Sequence, residues 1–272
     1  MKALLNGKTI LITGASSGIG EALAVEAAIR GGNIVLAARN EVELQRVKGL
    51  CIEMGAKCEY FVTDVSREED CKQLIEKTIE KYGKIDVLIN NAGISMRALF
   101  SEVDLIVLEK LMQVNFWGAV YCTKYALPYL LKLQGSVVVV SSIAGYKGLP
   151  ARTGYSASKF ALQGFFECLR IENMKKGLHV LIACPGFTAS KIRERALVAD
   201  GSFQGMSPRN EGKMMSAQKT ALLILNAVEK RKRKIILSFQ GKMTVFLNCL
   251  FPSWTDKLVY RHISKEIDSP VK

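Results

Sequence analysis

The sequence predicts an α/β protein built on a doubly wound parallel sheet of seven strands, with helices on both faces. Three observations predict it. Short apolar runs alternate with stretches of helical spacing along most of the 272 residues, the rhythm of βα units. The runs are apolar nearly throughout, as expected of strands covered on both faces. A glycine-rich turn joins the first run to the first helical stretch. The length suits one large domain with a buried core and is short for two.

The strand candidates are Lys8–Thr13, Asn33–Ala37, Lys57–Thr63, Val87–Asn90, Ser136–Ser141, Val180–Cys184 and Lys234–Ser238. Helical spacing fills Glu21–Arg30, Glu41–Met54 and Glu68–Tyr82, then a long stretch at Val103–Leu133. Ala221–Val228 reads as a buried helix. Phe187–Met215 breaks the rhythm with glycines, Pro208 and mixed charges; apart from a short helical stretch near Ile192–Val198 it reads as a mobile segment over a site or a long surface loop. Residues 1–240 form the predicted domain and residues 241–272 an amphipathic tail. In that tail Met243, Phe246, Leu247, Leu250, Phe251, Trp254 and Leu258 fall near one helical face, interrupted at Pro252. Such a face packs on its own domain, on another subunit or on a membrane surface.

Composition narrows the function classes. Charged residues make up 23% and hydrophobic residues 49%, a globular balance. No apolar run approaches the ~18 residues of a membrane span, and Met1–Lys8 leaves no room for a secretory signal before the first strand. The seven cysteines are scattered without a CxxC pair, so they read as inert thiols of a reducing compartment, here the cytoplasm, and no metal site is expected. Only His179 and His262 are present, too few for histidine-based catalysis or a metal centre. The net charge of +13 is densest at Lys230–Lys234, which reads as a solvated turn. No stacking-aromatic pattern accompanies it, so nucleic acid is not an expected partner.

The turn after the first strand is Thr13-Gly14-Ala15-Ser16-Ser17-Gly18-Ile19-Gly20. Gly14, Gly18 and Gly20 permit a tight turn and let backbone amides approach a pyrophosphate at a helix N-terminus. The end of the second strand usually places an acidic residue on the ribose of NAD; here Arg39-Asn40 follows Ala38. Arg39 can pair with a 2′-phosphate, so NADP(H) is the expected cofactor, with NAD(H) the alternative. Asp64-Val65 ends the third strand, where an aspartate can meet the adenine amino group. Asn91-Ala92-Gly93 ends the fourth, where small residues allow close approach to a ribose.

Tyr155 and Lys159 are four residues apart in a helical pattern and share a face. An ammonium there lowers a phenol's pKa from its ordinary ~10, which equips Tyr155 as a proton donor to a carbonyl or acceptor from an alcohol. Lys159 can also hold ribose hydroxyls. Ser142, at the end of the fifth strand, can hold the substrate oxygen beside Tyr155. Asn115, polar amid apolar neighbours, can hold a water that relays protons to Lys159.

The motifs TGASSGIG at 13–20, NNAG at 90–93, Asn115, Ser142, YSASK at 155–159 and PG at 185–186 resemble those of the short-chain dehydrogenase/reductase family over about residues 5–240. The resemblance implies a Rossmann-type fold, a nicotinamide cofactor and an Asn-Ser-Tyr-Lys tetrad. It adds Ser16, Ser17, Ile19, Pro185 and Gly186 to the cofactor contacts, with Thr188 near the carboxamide or phosphates. It also implies homodimers or homotetramers formed through helices near Val103–Leu133 and Tyr155–Lys176. The tail is longer than a 3-oxoacyl-thioester reductase of the carrier type needs, and favours a ketone, steroid-like or lipid-like substrate. Expected pocket residues are Ile94, Ser95, Met96 and Arg97, then Ile143, Ala144, Tyr146, Leu149 and Arg152, then Phe187. Within this apolar mix Arg97, Lys147 and Arg152 are expected in solvent. The competing reading is a nucleotide-sensing protein that kept the fold without the chemistry, against which the intact tetrad argues.

Overall fold

The computed structural model describes residues 5–271; Met1–Leu4 of the short N-terminal lead and Lys272 of the tail lie outside the described residues. The strands are β1 Thr9–Thr13, β2 Asn33–Ala38, β3 Cys58–Val62, β4 Val87–Asn90, β5 Ser136–Val140, β6 His179–Cys184 and β7 Lys234–Ile236. All pair in parallel, in the order β3-β2-β1-β4-β5-β6-β7. Winding runs outward from β1 to β3, returns to place β4 beside β1, and then runs outward the other way. The reversal between β1 and β4 opens a crevice at the carboxyl ends of those strands, where ligands bind in such sheets.

Helices cover both faces: α1 Gly18–Ile29, α2 Glu41–Glu53, α3 Glu68–Tyr82, α4 Leu105–Met112, α5 Gly118–Lys132, α6 Thr153–Glu172 and α7 Ala217–Glu229. Successive strand residues point to opposite faces. Ile10 and Ile12 therefore pack with Leu23, Ala27, Ile224 and Leu225 of α1 and α7. Leu11 packs in the other layer with Leu74, Ala126 and Phe166 of α3, α5 and α6. Every residue of β1, β5 and β6 is buried, which explains their unbroken apolar runs. His179 is structural: its ring bonds the Ser136 hydroxyl and the Lys232 carbonyl.

Two stretches depart from expectation. The helical stretch at Val103–Leu133 is two helices joined by a π-turn at Gln113–Trp117. Ile192–Val198 holds turns rather than a helix. Its segment is pinned by bridges of Leu197 to Met96 and Phe203 and of Thr188 to Met215, and by the Arg193–Glu211 ion pair, whose guanidinium is buried. The tail forms α8 Phe239–Leu250 and α9 Pro252–Ile263. Pro252 stands at the first position of α9, where its missing N–H breaks no helical bond.

Candidate active site

The crevice holds one continuous cavity of about 1510 Å³ that runs from the glycine-rich turn to the tail helices. Its nucleotide end is locked by three strand ends. The Asn91 carboxamide donates to the carbonyls of Thr13 and Gly14 at 3.0 and 3.2 Å, and the Thr13 hydroxyl accepts from the amides of Asn91 and Ala92 at 3.1 Å. Gly14 has φ +65°, and a Cβ there would lie 2.8 Å from the Ala92 backbone. A Cβ on Gly20 would come within 2.1 Å of the Gly14 carbonyl. Only glycine lets the turn fold this close. Ser17 precedes α1 without capping it through its side chain, so first-turn amides face the cavity as anion donors. These features fit a dinucleotide pyrophosphate.

Arg39 lies exposed at the cavity edge, with no ion pair among the described residues. Asn40 beside it caps α2, accepting from the Glu43 amide at 3.1 Å. One Asp64 oxygen accepts from the amide and hydroxyl of Ser66 at 3.0 and 2.7 Å. Val65 is buried against Gly118, where a Cβ would come within 2.9 Å. Pro185, Gly186 and Thr188 line the same cavity beyond β6. Of the catalytic and cofactor-contact residues expected from sequence, all but Gly20 and Asn115 line it.

Lys159 and Tyr155 share the cavity-facing side of α6. The Lys159 ammonium donates to the Val140 carbonyl at 3.0 Å and lies 5.7 Å from the centre of the Tyr155 ring. Burial pushes Lys159 down to about 8. The phenol of Tyr155 shifts upward rather than downward as expected. Burial dominates, and the Ser142 hydroxyl and the guanidiniums of Arg152 and Arg193 only partly offset it. Tyr155 therefore carries its proton at neutral pH. Ser142 lies two residues beyond β5 in extended backbone, and its hydroxyl accepts from the Ala144 amide at 3.1 Å.

Asn115 works from behind. Its carboxamide donates to the Ile94 carbonyl at 3.0 Å and to the Ser158 hydroxyl at 2.9 Å, and accepts from the Ile94 amide at 2.8 Å. Both amide protons are thus committed, which leaves only oxygens to hold a water. The Ser158 hydroxyl in turn donates to the Tyr155 carbonyl at 2.8 Å. The π-turn places this side chain between the β4 loop and α6; such turns frequently mark functional sites. Gly93 lies beside both groups, since a Cβ there would be 3.2 Å from Asn115 Oδ1 and 3.5 Å from Lys159 Nζ.

Of the expected pocket residues, Ile94, Ser95, Ile143, Ala144, Leu149, Arg152 and Phe187 line the cavity. Met96 and Arg97 lie behind it. Tyr146 instead donates to Gln163 at 3.0 Å in a buried network with Ser141 and Cys184. The expectation of solvated Arg97, Lys147 and Arg152 is overturned, because the tail buries all three. Lys147 pairs with Asp256 and donates to Asn248 at 2.8 Å. Arg97 and Arg152 both face Glu266, whose side chain is 3% exposed, as does Arg209. The far wall of the cavity is tail: Gly241, Met243, Leu247, Leu258, His262 and Ile263. Their helical spacing is visible in sequence, but nothing in that spacing shows what the face covers.

A nucleotide cradle that opens onto a tyrosine and a lysine beneath an apolar chamber defines an NAD(P)-dependent oxidoreductase acting on CH–OH groups. A family model described as short chain dehydrogenase matches residues 8–200. The chain belongs to the short-chain dehydrogenase/reductase family. It is 37% identical over 267 residues to 11-beta-hydroxysteroid dehydrogenase 1A of Arabidopsis thaliana, covering 94% of this chain and 76% of that one. It is 36% identical to a dehydrogenase/reductase SDR family protein 7-like of Drosophila melanogaster, over 92% of this chain and 78% of the other. A short-chain dehydrogenase/reductase from Burkholderia phymatum, solved with NAD, superposes with a TM-score of 0.82 at 26% identity, covering 92% of this chain and 95% of that one. An alcohol dehydrogenase from Thermococcus sibiricus, solved with 5-hydroxy-NADP, gives a TM-score of 0.76 at 25% identity, over 85% and 96%.

Proposed function

We propose that the protein is an NADP(H)-preferring reductase of an apolar, steroid-like or lipid-like ketone. The observation that carries this reading is one cavity whose nucleotide end meets an unpaired Arg39 and whose other end is walled by apolar tail residues, with Tyr155 between them. The relatives named for hydroxysteroids agree with an apolar carbonyl substrate. When bound, the nicotinamide supplies the hydride that the carbonyl carbon gains. The protonated Tyr155 phenol donates to the carbonyl oxygen, which Ser142 holds, and a secondary alcohol results. Lys159 holds the ribose hydroxyls and returns the tyrosine's proton. Asn115 is a positioning residue, fixing the Ile94 loop against α6. Gly14, Ser16, Ser17, Gly18 and Ile19 hold the pyrophosphate, and Asp64, Val65, Asn91, Ala92 and Gly93 the adenosine.

The test is binding of NADPH against NADH to the wild type and to Arg39→Ala. A charge-assisted pair contributes about 1.5–3 kcal/mol, so the variant should lose roughly 10- to 100-fold in NADPH affinity and little in NADH affinity. Equal affinities in the wild type would overturn the preference. Turnover of 3-oxoacyl thioesters ahead of simple ketones would favour the thioester reading. Nucleotide binding without turnover of any carbonyl compound would favour the sensor.

A peripheral membrane contact at the cytoplasmic side goes with this function. Phe239, Phe246, Leu250, Phe251 and Trp254 of the tail are all more than half exposed. They stand on, or at the joint between, the two helices that wall the cavity, where a bilayer-dissolved substrate would enter. No helix among the described residues is long and apolar enough to cross a membrane. Self-association through the α4–α6 side, where Leu105, Ile106 and Phe160 are exposed, completes the proposal.

A further inference from the structure

The cavity has a charged pole that an apolar ketone does not use. Arg97, Arg152 and Arg209 converge on the single carboxylate of Glu266 at 3.7, 3.6 and 2.5 Å. Three positive groups face one negative group, all with side chains at most 15% exposed. Two of the three have other partners. Arg97 donates to the Ile267 carbonyl at 2.6 Å. Arg209, besides its bond to Glu266 Oε1 at 2.6 Å, lies 3.7 Å over the Phe187 ring and has Nη1 3.0 Å from His262 Nε2. Arg152 differs: among the described residues its side chain has the 3.6 Å ion pair with Glu266 and no hydrogen bond, and it lines the cavity. The residue is 6% exposed. A cation this deeply buried, sharing one carboxylate with two other arginines, is costly unless a further anion pairs with it. Arg152 also stands three residues before Tyr155, one helical turn from the phenol. Its placement is enforced by backbone: Ala151 adopts φ +58°, rare for a residue with a Cβ, and its carbonyl accepts from the Ala98 amide at 3.0 Å.

We infer that Arg152 is a substrate-recognition residue that pairs with a carboxylate carried near the reacting carbonyl, so that the preferred substrate is an apolar oxo acid rather than a neutral ketone. This rests on the carbonyl-reductase reading. In the productive pose the carbonyl oxygen meets Tyr155 and Ser142. The carboxylate meets the Arg152 guanidinium and brings the local charge closer to balance, and the apolar remainder lies against Met243, Leu247 and Leu258 of the tail.

The test uses an oxo fatty acid and its methyl ester, which differ only in the charge and one methyl group, with the full-length protein and NADPH. The wild type should turn over the acid with kcat/KM at least ~10-fold above the ester, the size of a charge-assisted hydrogen bond. Arg152→Gln should erase that preference by raising KM for the acid at least ~10-fold more than for the ester, and Arg152→Lys should restore part of it. In a parallel thermal-shift measurement the acid should stabilise the nucleotide-loaded wild type more than the ester does, and Arg152→Gln should remove the difference. Equal handling of acid and ester by the wild type in both assays would overturn the inference, as would an equal loss on both in Arg152→Gln. Selective, Arg152-dependent binding of the acid without any carbonyl turnover would instead sink the reductase reading and leave the arginine's role standing.

Discussion

The ammonium of Lys159 lies 5.7 Å from the centre of the Tyr155 ring and donates to the Val140 carbonyl. The two groups are shifted by the same cause in opposite directions: burial lowers the lysine to about 8 and raises the phenol. A neutral phenol beside a lysine close to its titration point suits delivery of a proton to a carbonyl oxygen near neutral pH.

Removal of that proton tests the chemistry directly. Tyr155→Phe should lower kcat by ~10²- to 10⁴-fold, the usual contribution of a positioned acid. Nucleotide binding, measured by fluorescence titration, should be retained, since the ring and its packing remain.

The lysine makes a prediction about stability. Its folded value of about 8 lies below the ordinary 10.5, so between those values the unfolded chain binds more protons than the native one. Stability of the nucleotide-free protein should therefore rise as pH increases from about 8. The raised Tyr155 phenol reverses the sign above ~10, where an unfolded tyrosine ionises and the native one does not. Urea titrations between those limits should show the rise in the wild type and its absence in Lys159→Met.

Glu266 holds three arginines, and its loss leaves them facing one another in a buried site. Glu266→Gln should destabilise the protein by about 3–5 kcal/mol, a drop in Tm on the order of 10 °C for a chain of this size. Asp256→Asn, at an exposed carboxylate on Lys147, should move Tm much less. Similar shifts in calorimetry for the two variants would refute this ranking.

The apolar rim predicts a surface interaction. Trp254→Glu combined with Phe246→Glu should reduce flotation with liposomes while leaving Tm within a few degrees, because both side chains are more than half exposed. Flotation equal to that of the wild type would remove the membrane contact.

The sheet was legible because burial on both faces writes strands as unbroken apolar runs, as in Val137–Val140. Tyr155 and Lys159 were legible because a four-residue spacing on a helix fixes a shared face whatever surrounds it. The π-turn at Asn115 was not, since inserting one residue into a helix leaves composition and periodicity almost unchanged. The burial of Arg97, Lys147 and Arg152 was hidden as well: their counter-ions, Glu266 and Asp256, stand far along the chain in a tail whose docking side the spacing does not reveal. The pKa of Tyr155 went the other way because charge proximity is visible in sequence and desolvation is not.

Glu266 ties together four separate stretches: the loop after β4 through Arg97, the lead into α6 through Arg152, the segment after β6 through Arg209, and its own tail. None of these can swing aside without disturbing the ionic contact that the others share. A substitution at this one carboxylate therefore loosens four stretches at once, and Glu266→Gln should raise amide hydrogen exchange in all four together rather than in the tail alone.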